Sequence, residues 1–154
     1  MPEYRHVPAA TPEQVALGEQ LGLDLSRDTW AVARARILDV VGSAIGDEQR
    51  YSTPTERQTA WAESLGIDVG ERSYRVAFAM IKDALWEREN RLIKDMNLQA
   101  GDRVTREREY DHDGQIHKSR DEFVISSIRD DGLMHFKGTG CKSGWPSGFT
   151  KVED

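Results

Sequence analysis

The residues best suited to binding or catalysis lie in a glycine-rich loop over residues 138–144, which also contains a cysteine and a lysine. Because glycine lets backbone N–H groups converge on an anion, this loop and Lys142 could cradle a phosphate. The spacing differs from that of a nucleotide-binding P-loop, and the sequence predicts no helix after it. Nothing in the sequence predicts that Cys141 is an activated thiol. An ordinary connection between two strands is the alternative interpretation of this loop.

Two histidines flank a predicted hairpin, where His112 and His117 could face each other beside Asp111 or Asp113 and hold a metal ion. A solvated hairpin tip explains the same residues without a metal. No Ser–His–Asp arrangement is readable, and the carboxylates at 130–131 suit turn positions. One cysteine in the whole chain excludes an intramolecular disulfide and a cysteine-based zinc site. We therefore predict a protein that is not an enzyme, with no metal and no cofactor.

Basic and aromatic side chains offer a second kind of chemistry, the binding of nucleic acid. The basic residues selected for phosphate contact are Arg34, Arg36, Arg72, Arg75 and Lys142. The aromatic residues that could form a stacking surface or cage on the predicted β domain are Tyr110, Phe136, Trp145 and Phe149. Of these, Tyr110, Phe136 and Trp145 are selected as surface residues. The alternatives are a solvated helix face for the arginines and core packing for some of the aromatic rings.

The first predicted hairpin carries a further basic set that alternates with acidic residues, namely Arg103, Arg106, Arg108, Lys118 and Arg120. Strand alternation places Arg106 and Arg108 on the same face as Val104. Glu107 and Glu109 are interleaved with these arginines, so a solvated and self-compensating charge ladder is the default expectation.

The composition is that of an ordinary globular protein. The 154 residues are enough for one or two domains, and 38% are hydrophobic and 31% charged. The net charge is −6, of which residues 1–97 contribute −4 and residues 98–154 contribute −2. Neither half has the basic excess of a typical nucleic-acid-binding domain, so such binding must rely on local patches. The chain shows no long apolar run, no signal-peptide pattern and no paired cysteines, which predicts a cytoplasmic location and no membrane partner.

A shift of 44 residues aligns the first hundred residues of the chain with themselves. The identical pairs are Thr11 and Thr55, Gln14 and Gln58, Ala16 and Ala60, Glu19 and Glu63, Leu21 and Leu65, Gly22 and Gly66, Asp24 and Asp68, Val32 and Val76, Ala33 and Ala77, Ala35 and Ala79, Ile37 and Ile81, and Asp39 and Asp83. Twelve identities in 29 positions without a gap far exceed the roughly two expected by chance from ordinary composition. We therefore predict a duplicated structural unit.

Each copy of the repeat predicts a helix, a loop and a second helix. The predicted N-caps of the first helices are Thr11 and Thr55, their terminal glycines are Gly22 and Gly66, and the caps of the second helices are Asp28 or Thr29 and Ser73. Two alanines on each second helix would let these helices pack closely, namely Ala33, Ala35, Ala77 and Ala79. The last helix contains no proline or glycine and is predicted to run from Arg72 to about Asn97.

The pattern Thr-x-x-Gln, then Leu-Gly, then Ala-x-x-x-Ile in each copy resembles a small module of phage and bacterial DNA-metabolism proteins. It is also similar to the SAP and helix–extended-loop–helix family of nucleic-acid-binding modules. The resemblance covers about 30 residues per copy, and it implies a phosphate contact from a basic residue near the start of the second helix. The second copy keeps such a residue in Arg72-Ser73, whereas the first copy has Asp28-Thr29 at that place.

After Leu98 the sequence changes to short segments of β-forming residues separated by turn signals. Asp113-Gly114 and Asp131-Gly132 are both hairpin signals. About 55 residues with five short strands and two tight hairpins suit a small β barrel.

Two segments of this region resemble SH3-like domains. Leu98-x-x-Gly101-Asp102-x-Val104 resembles the start of the first strand in SH3-like and KOW-like domains. Gly144-Trp145-Pro146-Ser147-Gly148-Phe149 resembles the SH3 segment in which a 3₁₀ turn precedes the last strand. The resemblance covers residues 98–153 and implies a five-stranded SH3-like barrel. Because the eukaryotic SH3 starting motif and the tryptophan pair of the proline-rich-ligand groove are absent, it implies the fold and not the ligand.

The sequence therefore predicts an α+β protein. Residues 1–97 form a duplicated helix–loop–helix region, with copies at about 11–45 and 55–97, and residues 98–154 form the SH3-like barrel. The predicted function is a non-catalytic binding or accessory protein associated with nucleic acid, DNA more than RNA, through local basic patches. The alternative is an acidic protein–protein adaptor or decoy, of phage or defence type, that does not bind nucleic acid. The oligomeric state stays open.

Overall fold

The computed structural model describes residues 6–46, 52–138, 140 and 142–153, and its fold is α+β, as predicted. The helices are α1 (Pro12–Gln20), α2 (Trp30–Ala44), α3 (Glu56–Ser64) and α4 (Tyr74–Asp95). The strands are β1 (Arg103–His112), β2 (Gln115–Ile128), β3 (Met134–Phe136), β4 (Ser143–Gly144) and β5 (Thr150–Lys151), with a 3₁₀ helix, η1 (Pro146–Gly148), before β5. Cys141 and part of the predicted glycine loop lie outside the described residues.

The described chain divides into two compact units, a helical unit of residues 6–86 and a sheet unit that begins at residue 87. Helix α4 belongs to the helical unit up to Trp86 and to the sheet unit from Glu87. The domain boundary expected at 97/98 stays a prediction. Within the described ranges, every helix is too short or too polar to cross a membrane.

Thr11 and Thr55 are the N-caps of α1 and α3, as the sequence predicts, and each forms a capping box with a glutamine. The hydroxyl of Thr11 accepts the N–H of Gln14 at 3.1 Å, and the side chain of Gln14 accepts the N–H of Thr11 at 2.9 Å. Thr55 and Gln58 repeat this exchange at 3.2 and 2.9 Å. Each box satisfies two backbone N–H groups that the first turn of a helix leaves without partners.

The links after α1 and α3 begin with glycines in the left-handed conformation. Gly22 and Gly66 have φ values of 74° and 73°, which other residues rarely adopt. Each link then turns an apolar side chain inward, and both Leu25 and Val69 are buried. The sharp turn at each glycine therefore lets a helix of only nine residues contribute to a core.

The second helices of the two copies pack on each other through small residues. Ala35 of α2 forms a buried cluster with Val76 and Ala79 of α4. Ala33 and Ala77, the other predicted contact residues, are also buried. Ala77 packs within its own copy, in a cluster with Ala62, Val69 and Ile81. Of the four predicted alanines, Ala35 and Ala79 therefore share a cluster between the two helices.

The strands form one antiparallel sheet in the order β4-β3-β2-β1-β5. In its register, Val104 of β1 lies opposite Phe123 of β2, and Ile125 of β2 lies opposite Phe136 of β3. The sheet is not closed, which corrects the predicted closed barrel. Among the described strands, β4 and β5 form the two edges, and each is only two residues long. Such short edges offer too few backbone groups to close a barrel.

The sheet unit has its own apolar core, whose buried members are Ile93, Leu98, Val104, Ile125, Met134 and Phe136. The burial of Phe136 corrects its prediction as a surface aromatic, because its ring is only 7% exposed. Strand β3 pairs Phe136 with the fully buried Ile125, so both side chains point to the core face of the sheet.

A buried carboxylate within the sheet unit holds the 3₁₀ helix. Glu89 of α4 is 1% exposed, and its oxygens accept the N–H and the hydroxyl of Ser147 at 2.9 and 2.8 Å. Arg88 donates to the same carboxylate at 2.7 Å. Gly132 allows the turn after β2 to approach α4, since a Cβ atom there would lie 2.9 Å from the Cβ atom of Glu89. These contacts fix η1 and thereby the start of β5.

Candidate nucleic-acid interface

The β1–β2 hairpin extends well beyond the rest of the sheet. Its two strands pair without interruption from Arg103 opposite Val124 to His112 opposite Gln115. In contrast, β5 pairs only with residues 104–105 of β1, and β3 pairs only with residues 125–128 of β2. Residues 106–121 therefore form a two-stranded arm, called here the hairpin arm.

The register divides the side chains of the hairpin arm between two faces. The first face, called here the cationic–aromatic face, carries Arg106, Arg108, Tyr110 and His112 from β1 and Gln115, His117, Ser119 and Asp121 from β2. The opposite face carries cross-strand charge pairs such as Glu109 and Lys118, whose Oε1 and Nζ atoms are 3.0 Å apart. The self-compensating ladder expected from the sequence thus fits the opposite face, while Arg106 continues the row of the buried Val104.

Three phenylalanines meet at the base of the hairpin arm. The ring of Phe123 stacks on that of Phe136 with centroids 4.8 Å apart, and Phe149 lies against both at 5.8 and 5.2 Å. Gly144 makes room for this cluster, because any side chain there would collide with the ring of Phe149. Phe123 and Phe149 are only partly buried, so part of their surface stays accessible.

Two cations cover this phenylalanine cluster. The guanidinium carbon of Arg106 lies 5.6 Å from the ring centre of Phe123 and 5.4 Å from that of Phe149. Lys142 places its Nζ atom 5.7 Å from the ring centre of Phe123. At these distances a cation is attracted by the negative face of the ring. Both charges are thereby held beside an apolar surface.

Arg106 also carries an unsatisfied hydrogen-bond donor. Its Nε atom is buried and has no hydrogen-bond partner among the described residues. A buried donor without an acceptor costs about 1–3 kcal/mol. Native proteins therefore rarely keep such a group unless an acceptor from outside the chain can satisfy it.

Arg106 and Lys142 border a cavity of about 590 Å³, called here the cation–phenylalanine cavity. Its lining side chains are Arg106, Arg108, Arg120, Asp121, Glu122, Phe123, Phe136, Lys142, Ser143 and Phe149. Four of these are cationic and two are acidic. Both acids already lie near arginines, since Asp121 is 3.7 Å from Arg108 and Glu122 is 3.5 Å from Arg103. The cavity therefore favours an anionic ligand that also has a flat apolar part.

The tip of the hairpin arm carries aromatic rings on the same face. Tyr110 stacks on His117, its cross-strand partner, with ring centres 5.4 Å apart and planes 19° from parallel. His112 lies 6.2 Å from His117. No group of three or more potential metal ligands occurs in the part of the chain that the structure describes. The tip therefore offers a stacking surface.

Two of the four arginines predicted to contact phosphate form ion pairs within the helical unit. Arg36 lies 2.6 Å from a carboxylate oxygen of Asp28, and Arg75 lies 3.3 Å from one of Asp39. Arg34 and Arg72 are exposed on the same unit. All four arginines belong to the helical unit.

Lys142 is the one predicted basic residue that lies beside aromatic rings in a described cavity. Tyr110 is exposed at the tip of the arm, and Trp145 is exposed at the start of η1. Sequence reasoning did not select Phe123, and it assigned Arg106 to a self-compensating charge ladder. It did name Phe149 among the aromatic residues that could form a stacking surface. The alternation that placed Arg106 beside Val104 was the available signal, because a charged residue in a row with a core residue is unusual.

Comparison with known proteins gives no guide to the function. No protein-family model matches the chain, and neither a curated protein nor a solved structure matches it. The function must therefore be inferred from the chemistry of the site, which combines partly accessible rings, an excess of cations over acids and a donor without an acceptor among the described residues.

Proposed function

We propose that this protein binds nucleic acid without catalysing a reaction, and that the cation–phenylalanine cavity is its binding site. The observation that carries the proposal is the buried Nε of Arg106, which lacks an acceptor beside two partly accessible phenylalanine rings. A phosphate oxygen is an acceptor that suits the guanidinium group of Arg106, and Lys142 adds a second positive charge. Few other biological ligands combine an anion with a flat ring as regularly as a nucleotide chain does.

The overall charge of −6 makes the location of these cations important. A negative molecule repels the phosphate backbone at long range, so attraction must come from groups held close to the ligand. The cavity provides this short-range attraction, because four cationic and only two acidic side chains line it. The resemblance of the helical copies to modules of DNA-metabolism proteins favours DNA over RNA.

The proposal includes a duplication in the helical unit, which is supported by equivalent hydrogen bonds in both copies. The side chain of Gln14 donates to the carbonyl of Trp30 at 3.1 Å, and Gln58 donates to the carbonyl of Tyr74 at 3.2 Å. Each bond ties the start of a first helix to the start of the following helix. These pairs are related by the 44-residue offset of the sequence repeat.

The bonds between the copies are reciprocal, which supports a pseudo-twofold arrangement inside the helical unit. The hydroxyl of Thr29 donates to the carboxylate of Asp83, and the hydroxyl of Ser73 donates to the carboxylate of Asp39. Thr29 corresponds to Ser73 in the repeat, and Asp39 corresponds to Asp83. Each copy therefore gives a cap hydroxyl and a carboxylate to the other, as two identical subunits do across a twofold axis.

An SH3-like arrangement of the sheet unit is also part of the proposal, as an open sheet and not a closed barrel. It is supported by the 3₁₀ helix directly before the last strand and by the two tight hairpin turns at Gly114 and Gly132. The antiparallel order β4-β3-β2-β1-β5 is compatible with it.

The first experiment measures fluorescence anisotropy with labelled single-stranded DNA, duplex DNA and RNA at low and physiological salt. The variants Arg106→Gln and Lys142→Gln are each expected to weaken binding about tenfold, since each removes a charge-assisted contact. Lys118→Gln is the matched control, because it removes the same charge from the opposite face of the hairpin arm. Thermal unfolding of each variant shows whether the fold is retained.

Two results would contradict the proposal. No binding by the native protein, even at low salt, would exclude direct recognition of nucleic acid. Binding that is lost with Arg34→Gln or Arg72→Gln, but kept with Arg106→Gln, would move the site to the predicted arginines of the helical unit.

A second candidate function is a protein–protein adaptor or an acidic decoy, and a separate observation favours it. The helical unit exposes several large apolar side chains, namely Leu17, Trp30, Trp61 and Phe78. A pull-down after nuclease treatment tests it. A stoichiometric protein partner that is lost with Trp61→Ser or Phe78→Ser would support it, and recovery of none would count against it.

A further inference from the structure

We infer that the ligand is a single strand of nucleic acid that lies extended along the cationic–aromatic face, with one base stacked on the Tyr110–His117 pair. This inference rests on the proposed function and deepens it, because it names the strandedness and the path of the ligand. The cavity supplies one contact point at the base of the hairpin arm, and the aromatic pair supplies a second at the tip.

The aromatic pair is open to a ligand. Tyr110 is 53% exposed although its ring already stacks on His117. No third strand among the described residues pairs with either strand of the arm at this level. A base can therefore stack on the pair without displacing a described strand of the sheet unit. Such stacking depends little on base identity, because every base has a π-face.

The two contact points lie on one face at a distance that a short strand can bridge. Arg106 and Tyr110 are four residues apart on the same strand, which corresponds to about 13 Å. Arg108 lies between them on this face and can contact the backbone of the bound strand. The acid on the path is Asp121, which lies 3.7 Å from Arg108 and is already partly neutralised.

The opposite face of the hairpin arm is the less favourable path for the ligand. Its acids Glu107, Glu109 and Asp111 outnumber its two cations, and Glu109 already neutralises Lys118 at 3.0 Å. This face therefore attracts a phosphate backbone less than the cationic–aromatic face does. A duplex keeps its bases stacked on one another and paired, so it offers no free base face to Tyr110 or to the phenylalanines. Single-stranded nucleic acid fits both the rings and the charges.

The test measures affinity for oligo-dT of about 12 nucleotides and for a duplex of equal length, using the full chain. Tyr110→Ala is expected to weaken binding of the single strand about tenfold, because it removes one stacked base. Tyr110→Phe keeps the ring and is expected to bind like the native protein. Ile116→Ala is the matched control, since Ile116 is an apolar tip residue, 73% exposed, on the opposite face.

The outcomes separate this inference from the proposed function. Weaker binding with Arg106→Gln but unchanged binding with Tyr110→Ala would keep the cavity as the site and overturn the path along the arm. Tighter binding of the duplex than of the single strand would overturn the strandedness. No binding of the native protein to either probe would overturn both the inference and the proposed function.

Discussion

The side chain of Glu89 is almost completely buried, and its carboxylate accepts several hydrogen bonds. Two of its partners come from Ser147 of the 3₁₀ helix, and Phe149 follows two residues later. A buried ionised group is tolerated only when such partners replace water. The ring of Phe149 therefore depends, through η1, on one carboxylate of α4.

Replacing this carboxylate should destabilise the sheet unit. Glu89→Ala is expected to lower the free energy of unfolding by about 2 kcal/mol, since it removes charge-assisted bonds to Ser147 from a buried position. Urea denaturation measures this change. Glu87→Ala, an exposed position on the same helix, is the control and should change stability little. Equal stability of the two variants would show that Glu89 does not hold η1.

Asp24 has a pKa that its local turn depresses. The hydroxyl of Ser26 donates to this carboxylate at 2.6 Å and its N–H donates at 3.0 Å, and both bonds lower the pKa because they stabilise the charged form. Since the folded pKa is lowered, the contribution to stability is present above the unfolded pKa. It is lost as the pH falls through the folded pKa.

Ser26→Ala should raise the pKa of Asp24 toward its ordinary value, because the variant loses the stronger of these two bonds and keeps the backbone one. An NMR titration of the Asp24 carboxyl measures the shift. An unchanged pKa in this variant would mean that the hydroxyl does not bond to the carboxylate in solution.

The two sequence repeats carry different residues at one pair of packed positions, but the summed side-chain volume of the pair is nearly the same. Gly18 of α1 faces Leu25, and a Cβ atom on Gly18 would lie 2.6 Å from a terminal carbon of that leucine. The corresponding pair in the second copy is Ala62 and Val69. Ala62 is larger than Gly18, and Val69 is smaller than Leu25. The helix residue gains one carbon and its partner loses one, so the summed volume of the pair is nearly unchanged, as close packing requires if the two copies are structurally equivalent.

Exchanging this pair between the copies tests their equivalence. Gly18→Ala alone should overpack the link and Leu25→Val alone should leave a small cavity, each costing about 1 kcal/mol. The double variant recreates the pair of the second copy and should cost clearly less than the sum of the single changes. Thermal or urea unfolding measures the three values. Strict additivity would mean that the two pairs are not equivalent.

At the scale of the whole molecule, a net charge of −6 has to coexist with the proposed binding of an anion. The proposed site offers few phosphate contacts, because the cavity has four cations and one of them, Arg108, is paired with Asp121. The affinity should therefore depend on salt less steeply than that of a basic DNA-binding domain.

We expect the affinity for single-stranded DNA to fall about tenfold between 50 and 200 mM salt, which corresponds to about two or three phosphate contacts. Arg106→Gln should reduce the slope of log affinity against log salt by about 0.7, the value for one contact. Anisotropy titrations at several salt concentrations measure both slopes. Binding that does not depend on salt would exclude phosphate contacts as its basis.

Local sequence signals determined most of the secondary structure. The caps at Thr11 and Thr55 and the glycines that end α1 and α3 act within a few residues, so their effect is readable from spacing. The same holds for the hairpin turn at Asp113-Gly114, where both residues have positive φ. The long last helix was also predicted to within two residues at each end.

Tertiary structure alone decided which of these side chains meet. Arg106, Phe123 and Phe149 come from β1, β2 and the segment before β5, and only the register of the sheet places them together. The pairing of β3 with β2 likewise placed Phe136 in the core, and the short edge strands β4 and β5 left the sheet open. The physical reason is range: caps and turns depend on neighbours in the chain, whereas burial and site assembly depend on strand pairing between residues far apart in sequence.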